Sequence, residues 1–90
     1  MDDVMKGMLA VSKAGHDKGR LYMIVDSDED YVYLCDGRLK SADKPKKKKY
    51  KHIQIIKMIS EEVDSCFEKG KRPDDSMIRK TIAAFEKSRD

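Results

Sequence analysis

Two short runs constrain the fold more than anything else in the chain. Leu21-Tyr22-Met23-Ile24-Val25 and Tyr31-Val32-Tyr33-Leu34-Cys35 are each dominated by β-branched, aromatic and aliphatic residues. They are too short to be buried helices and read as strands inside a sheet. The polar stretch Asp26-Ser27-Asp28-Glu29-Asp30 separates them. Asp36-Gly37 follows the second run, and this pair suits a two-residue hairpin because both positions tolerate φ > 0. Arg38–Ala42 is then expected to be the returning strand. Upstream, the apolar stretch Met8–Lys13 runs into Ala14-Gly15-His16-Asp17-Lys18-Gly19, where the glycines mark a turn. The lysine run with Pro45 reads as a loop or an edge, since like charges repel and proline cannot join a central ladder. His52–Ile56 reads as a last short strand.

After that the period changes. Ile56, Ile59, Val63 and Phe67 are spaced three, four and four apart, which is one face of a helix. Ser60 suits the N-cap, with Glu61 and Glu62 favoured in the first turn by the helix dipole. Lys69 and Gly70 suit the end, and Pro73 prevents continuation. A second helix is expected from Asp74 or Asp75, with Ile78, Ile82 and Phe85 as its buried stripe. Strands joined by tight turns and followed by two short helices predict a mostly β domain, a small antiparallel barrel or open sheet with helices at one edge or end.

The chain has 90 residues, enough for one small core and too few for a large enzyme cleft. Its longest apolar run is Leu21–Val25, whereas a membrane-spanning helix needs about 20 residues. Met1-Asp2-Asp3 lacks the cationic start of a secretory signal. Cys35 and Cys66 form no CxxC pair and read as buried thiols. The expectation is a cytoplasmic protein with no membrane partner.

Several constellations fail on spacing. Asp26, Asp28 and Asp30 match the first three positions of a calcium loop, but the required Gly and Glu are replaced by Tyr31 and Gly37. Gly15 and Gly19 resemble half of a phosphate loop, but Arg20 and a strand follow where a Lys and a helix are needed. His16, Cys35, His52 and Cys66 are isolated, whereas structural zinc sites draw ligands in close pairs. No catalytic set, metal, cofactor or small-molecule substrate is expected, and the chain is not read as an enzyme.

Charge is the informative feature. Residues 1–37 carry 4 basic and 8 acidic side chains, residues 38–57 carry 9 and 1, and residues 58–90 carry 7 and 8. The net +3 of the whole chain thus hides a concentrated +8 segment. Nucleic-acid phosphates need this local density, because each neutralised phosphate releases a condensed counterion. Lys44, Lys46, Lys47, Lys48, Lys49 and Lys51 are the expected phosphate contacts. Arg38 and Lys40 extend the track, and His52 closes it. Tyr50, inside the run, is a candidate to stack on an unpaired base. No recognition helix supports base-specific readout of duplex DNA.

The stretch Leu9-Ala10-Val11-Ser12-Lys13-Ala14-Gly15-His16-Asp17-Lys18-Gly19-Arg20-Leu21-Tyr22-Met23-Ile24-Val25 resembles the KOW motif: a strand, a glycine-bearing loop and a second strand. Gly19 stands at the motif's invariant glycine and Lys18 at the basic residue before it. Tyr31–Gly37, Pro45 and Lys51-His52-Ile53-Gln54 continue the likeness, which covers about residues 6–58. The chain resembles bacterial KOW-domain RNA-binding proteins, which are similar to KOW-class large-subunit ribosomal proteins of archaea and eukaryotes. The resemblance implies an SH3-like β-barrel at residues 1–58, holding the basic segment 38–57, followed by a helical extension at 59–90. It further implies RNA, commonly ribosomal RNA, as partner, with ribosomal proteins as neighbours and a place in translation. Lys18 and Arg20 would add RNA contacts from the motif's loop. KOW domains of transcription elongation factors also contact protein. The alternative expectation is therefore an interaction adaptor of the transcription or translation machinery, using the barrel edge or the C-terminal helices.

Overall fold

The computed structural model describes residues 6–89. Five strands come first: β1 (Leu9–Ser12), β2 (Leu21–Ser27), β3 (Tyr31–Cys35), β4 (Lys46–Lys49) and β5 (Ile53–Ile56). Helices α1 (Glu61–Glu68) and α2 (Asp75–Ser88) follow. The strands form one antiparallel sheet in the order β4-β3-β2-β1-β5.

Both faces of this sheet are buried, for different reasons. One face presents Leu9, Leu21, Met23, Val25 and Cys35 to Val63, Ile78 and Ile82 of the helices. The other carries Ala10, Tyr22, Ile24, Val32, Leu34 and Ile53, flanked by Met8, Tyr50 and Ile55. Among the described residues neither α1 nor α2 contributes to that second cluster, which the curl of the sheet encloses. The curl has a local cause. Ile24 pairs with Leu34 but the next pair is Asp26 with Tyr33, so Val25 is an extra residue in β2. A bulge of this kind bends its strand and sharpens the twist.

The expected SH3-like barrel does not form. β4 and β5 are the two edges of an open sheet, with no hydrogen-bonded pairing between them. Side chains bridge part of the curl instead, and they come from the lysines of β4. The expected strand at Arg38–Ala42 is also absent. Asp36 Oδ1 accepts from the backbone N–H groups of Arg38 and Lys40, each at 2.9 Å. The Lys40 carbonyl accepts from Asp36 N and Gly37 N. These bonds wind the segment into a wide turn, and the chain returns as Lys46–Lys49.

The helices follow their end signals. Ser60 Oγ accepts from Val63 N at 3.2 Å, and Asp74 Oδ1 from Met77 N at 2.8 Å. These caps satisfy donors that the first helical turn leaves free. α1 ends where Lys71 N donates back to the Cys66 carbonyl at 2.9 Å across Gly70. Ile78, fully buried, and Ile82 carry α2 onto the sheet, with Phe85 half-buried. Burial of one such side chain is worth about 2 kcal/mol. Among the described residues, no helix is long and apolar enough to cross a membrane. Cys35 is buried, Cys66 is half-buried, and both are free thiols.

Candidate nucleic-acid interface

Strand alternation divides the lysine run in two. Lys46 pairs with Leu34 and Lys48 with Val32, residues of the inner face. Lys47 pairs with Tyr33 and Lys49 with Tyr31, on the outer face. A run of identical residues therefore acquires two environments from the period of two alone.

The inner pair is tied to Asp17 in the β1–β2 connection. Lys48 Nζ lies 2.7 Å from Asp17 Oδ1, and Lys46 Nζ 2.7 Å from Asp17 Oδ2. Ser12 Oγ donates to Oδ1 at 2.8 Å and Tyr22 Oη to Oδ2 at 2.9 Å. Lys48 also donates to Ser12 Oγ and to the Ala14 carbonyl. Each carboxylate oxygen of Asp17 thus accepts two hydrogen bonds, although the residue is only 8% exposed. Burial by itself would raise the carboxyl pKa. The bonds from Lys46, Lys48, Ser12 and Tyr22 outweigh it and hold Asp17 well below the usual carboxylate range. Tyr22 is pushed up to about 12, first by burial and then by its bond to the anionic Asp17. Among the described residues, no buried side-chain N or O atom lacks a partner. Two of the six expected phosphate-binding lysines are thus committed inside the protein.

The outer pair is open to solvent. Lys47 and Lys49 are exposed, and Lys47 Nζ sits 4.1 Å from the centre of the Tyr31 ring. Lys44 and Lys51, at either end of β4, are exposed. Arg38 and Lys40 project from the wide turn, while Lys18 and Arg20 lie exposed beside the β1–β2 loop. Tyr50 departs from the expectation of a free stacking ring. It is half-buried against the inner cluster, and its hydroxyl donates to the Asp28 carbonyl at 2.8 Å. His52 is half-buried, and its carbonyl accepts from Lys13 N.

Neither protein-family models nor curated proteins give a match to this chain.

One acidic residue near the outer face, Asp28, is occupied locally. Asp28 accepts from Tyr33 Oη and from the N–H groups of Tyr31 and Asp30. The Tyr33 hydroxyl bond, then the two backbone bonds, lower its carboxyl pKa. Among the described residues, no group of three or more His, Cys, Asp or Glu side chains could hold a metal ion. Sequence reading missed Ser12, Asp17 and Tyr22 as partners of the lysines. The one available signal was an acid placed between basic residues in a glycine loop. It also missed Tyr31 beneath Lys47. The alternation Tyr31-Val32-Tyr33 carried that signal, since it puts both rings on one face.

Proposed function

We propose that this chain is an RNA-binding protein, not an enzyme, and that it grips RNA phosphates with the outward half of its lysine edge strand. The observation that carries this reading is the alternation of β4. It leaves Lys47 and Lys49 in solvent between exposed Lys44 and Lys51, while Lys46 and Lys48 neutralise Asp17. Among the described residues none of Lys44, Lys47, Lys49 and Lys51 has a carboxylate within 4.0 Å, and exposed cations left unpaired along one edge are what counterion release requires. Tyr31, under Lys47, offers a ring beside that edge. The resemblance to KOW proteins favours RNA over DNA. It points to ribosomal RNA, ribosomal-protein neighbours, and a cytoplasmic place in translation.

The test is a salt titration of affinity for single-stranded and structured RNA. Four contacts from Lys44, Lys47, Lys49 and Lys51 give a log–log slope of about −2.8 on single strands. The double variant Lys47→Ala/Lys49→Ala should flatten it by about 1.4. An unchanged affinity and slope in that variant sinks the reading.

One observation favours the adaptor reading instead. Met58 is 63% exposed at the rim of a cavity of about 300 Å³ lined by Leu9, Ile59 and Phe85. A protein partner held there would remain bound after nuclease treatment, and an RNA-bridged one would not.

A further inference from the structure

Beside the N-terminal end of β2 lies a cavity of about 300 Å³ lined by three arginines from three parts of the chain. Arg20 comes from the β1–β2 loop, Arg38 from the wide turn after β3, and Arg79 from α2. Arg79 is held in place by its own bond, Nη1 to the Gly37 carbonyl at 2.6 Å. Asp36 and Glu86 also line the cavity. Even so, among the described residues none of the three guanidiniums has a carboxylate within 4.0 Å. Asp36 is engaged elsewhere, its Oδ1 taken by the turn. Three guanidiniums against two carboxylates leave a net positive charge around one small cavity, and the guanidiniums form a fork-shaped set of donors that suits a tetrahedral anion.

A second cavity, of about 220 Å³, adjoins the first and shares Arg20. Its walls include His16, Tyr22 and Leu39. Leu39 is 73% exposed, the most exposed large apolar side chain among the described residues. An apolar shelf one residue from a cationic cavity matches the layout of a nucleotide, with a flat apolar base beside an anionic phosphate.

We propose that these two cavities hold one unpaired RNA nucleotide, its phosphate among Arg20, Arg38 and Arg79 and its base against Leu39 and His16. The proposal rests on the RNA reading above and adds a contact that the lysine edge does not supply. The lysines are point charges that follow a backbone, whereas this site selects a base free of the stack, because paired bases in an A-form helix cannot reach such a shelf.

The experiment uses the full chain and a fluorescein-labelled 12-nucleotide oligouridylate, read by anisotropy across a salt series, with a 12-base-pair RNA duplex as comparison. Arg38→Ala and Arg79→Ala should each weaken oligouridylate binding about tenfold. Each should also flatten the salt slope by about 0.7. Leu39→Ser should weaken it about fivefold with the slope unchanged, because an apolar contact releases no counterions. Duplex affinity should move little in any of the three. Glu86→Gln should tighten oligouridylate binding about threefold, and lost folding cannot produce that result. The inference fails, and the lysine-edge reading survives, if Lys47→Ala/Lys49→Ala weakens binding while Arg38→Ala, Leu39→Ser and Glu86→Gln match the wild type. It fails equally if only Arg79→Ala weakens binding and that variant melts earlier, for the arginine is then a structural brace of the turn. A wild-type chain that binds neither RNA overturns both readings.

Discussion

Lys48 and Asp17 form an ion pair at 2.7 Å in which both side chains are only 9% exposed. It links an edge strand to the loop between β1 and β2 across the inner face of the curled sheet. Taking two charges out of water costs several kcal/mol per ion, and a pair repays this only when its remaining donors and acceptors are also satisfied. Here they are, through Ser12, Tyr22, Lys46 and the Ala14 carbonyl. Asp17→Ala leaves the Lys48 ammonium buried without a counter-charge and should cost about 3 kcal/mol. Denaturant unfolding should show a lower midpoint at unchanged m-value. A loss below about 0.5 kcal/mol, the usual size for a surface substitution, contradicts this role.

The same carboxyl gives stability a pH dependence of known sign. Its folded pKa lies far below the ordinary value of 3.8. The stabilisation is complete above about pH 4 and declines as pH falls further, because the unfolded chain takes up the proton first. The thermal midpoint should fall steeply between about pH 4 and pH 2 in the wild type. Asp17→Asn should show a lower midpoint at neutral pH and a shallower fall below pH 4. Parallel curves for the two proteins assign the acid sensitivity to other carboxylates.

Charge-matched lysine pairs separate folding from binding. Lys46→Ala/Lys48→Ala and Lys47→Ala/Lys49→Ala each remove two positive charges from β4. The first pair faces Asp17 and should lower stability by about 3 kcal/mol while keeping the salt slope of RNA binding. The second pair faces solvent and should change stability by less than about 0.5 kcal/mol. Equal effects of the two variants on RNA affinity, at temperatures where both are folded, contradict the division of the strand.

The parts of this division that the sequence reveals are the local ones. Leu21–Val25 and Tyr31–Cys35 announce their strands because each is a short apolar run between polar breaks. Ser60 and Asp74 announce helix starts because capping is decided within three residues. Lys46–Lys49 reads from sequence only as a loop or an edge; lysine has low β-propensity, and pairing with Tyr31–Leu34 decides for the edge strand. The choice of Asp17 as partner spans 29 residues to Lys46 and 31 to Lys48, beyond any local rule. The choice between a closed barrel and an open sheet is hidden for the same reason. Barrel closure depends on how the two edge strands meet, and no residue of β4 or β5 encodes that alone. The arginine cavity joins positions 20, 38 and 79, which no local pattern connects.

Gly37 tests the contact between the wide turn and α2. Its φ is +77°, and a Cβ there would lie 2.5 Å from the Asp75 carbonyl oxygen and 2.8 Å from Arg79 Cγ. Gly70 has a similar φ of +74° but open space around it. Gly70→Ala should therefore cost only the backbone strain, about 1 kcal/mol. Gly37→Ala adds a clash with a fixed backbone atom and should cost about 3 kcal/mol. Equal losses in the two variants indicate that the turn moves freely away from the helix.

The two thiols should differ in reactivity. Cys35 is fully buried, donates to the Ser41 carbonyl at 3.2 Å, and has its pKa pushed up to about 11 by burial. The thiolate is the reacting species, so Cys35 has almost none available at pH 8 and no path for a reagent. Cys66 is half-buried on α1. A thiol reagent at pH 8 should modify Cys66 first, with Cys35 reacting only as fast as the domain unfolds. Mass spectrometry of the labelled protein should show a single rapid adduct, absent from Cys66→Ser and retained in Cys35→Ala. Rapid labelling of the Cys66→Ser chain means that β3 opens locally, and the shared core of sheet and helices is then looser than its burial indicates.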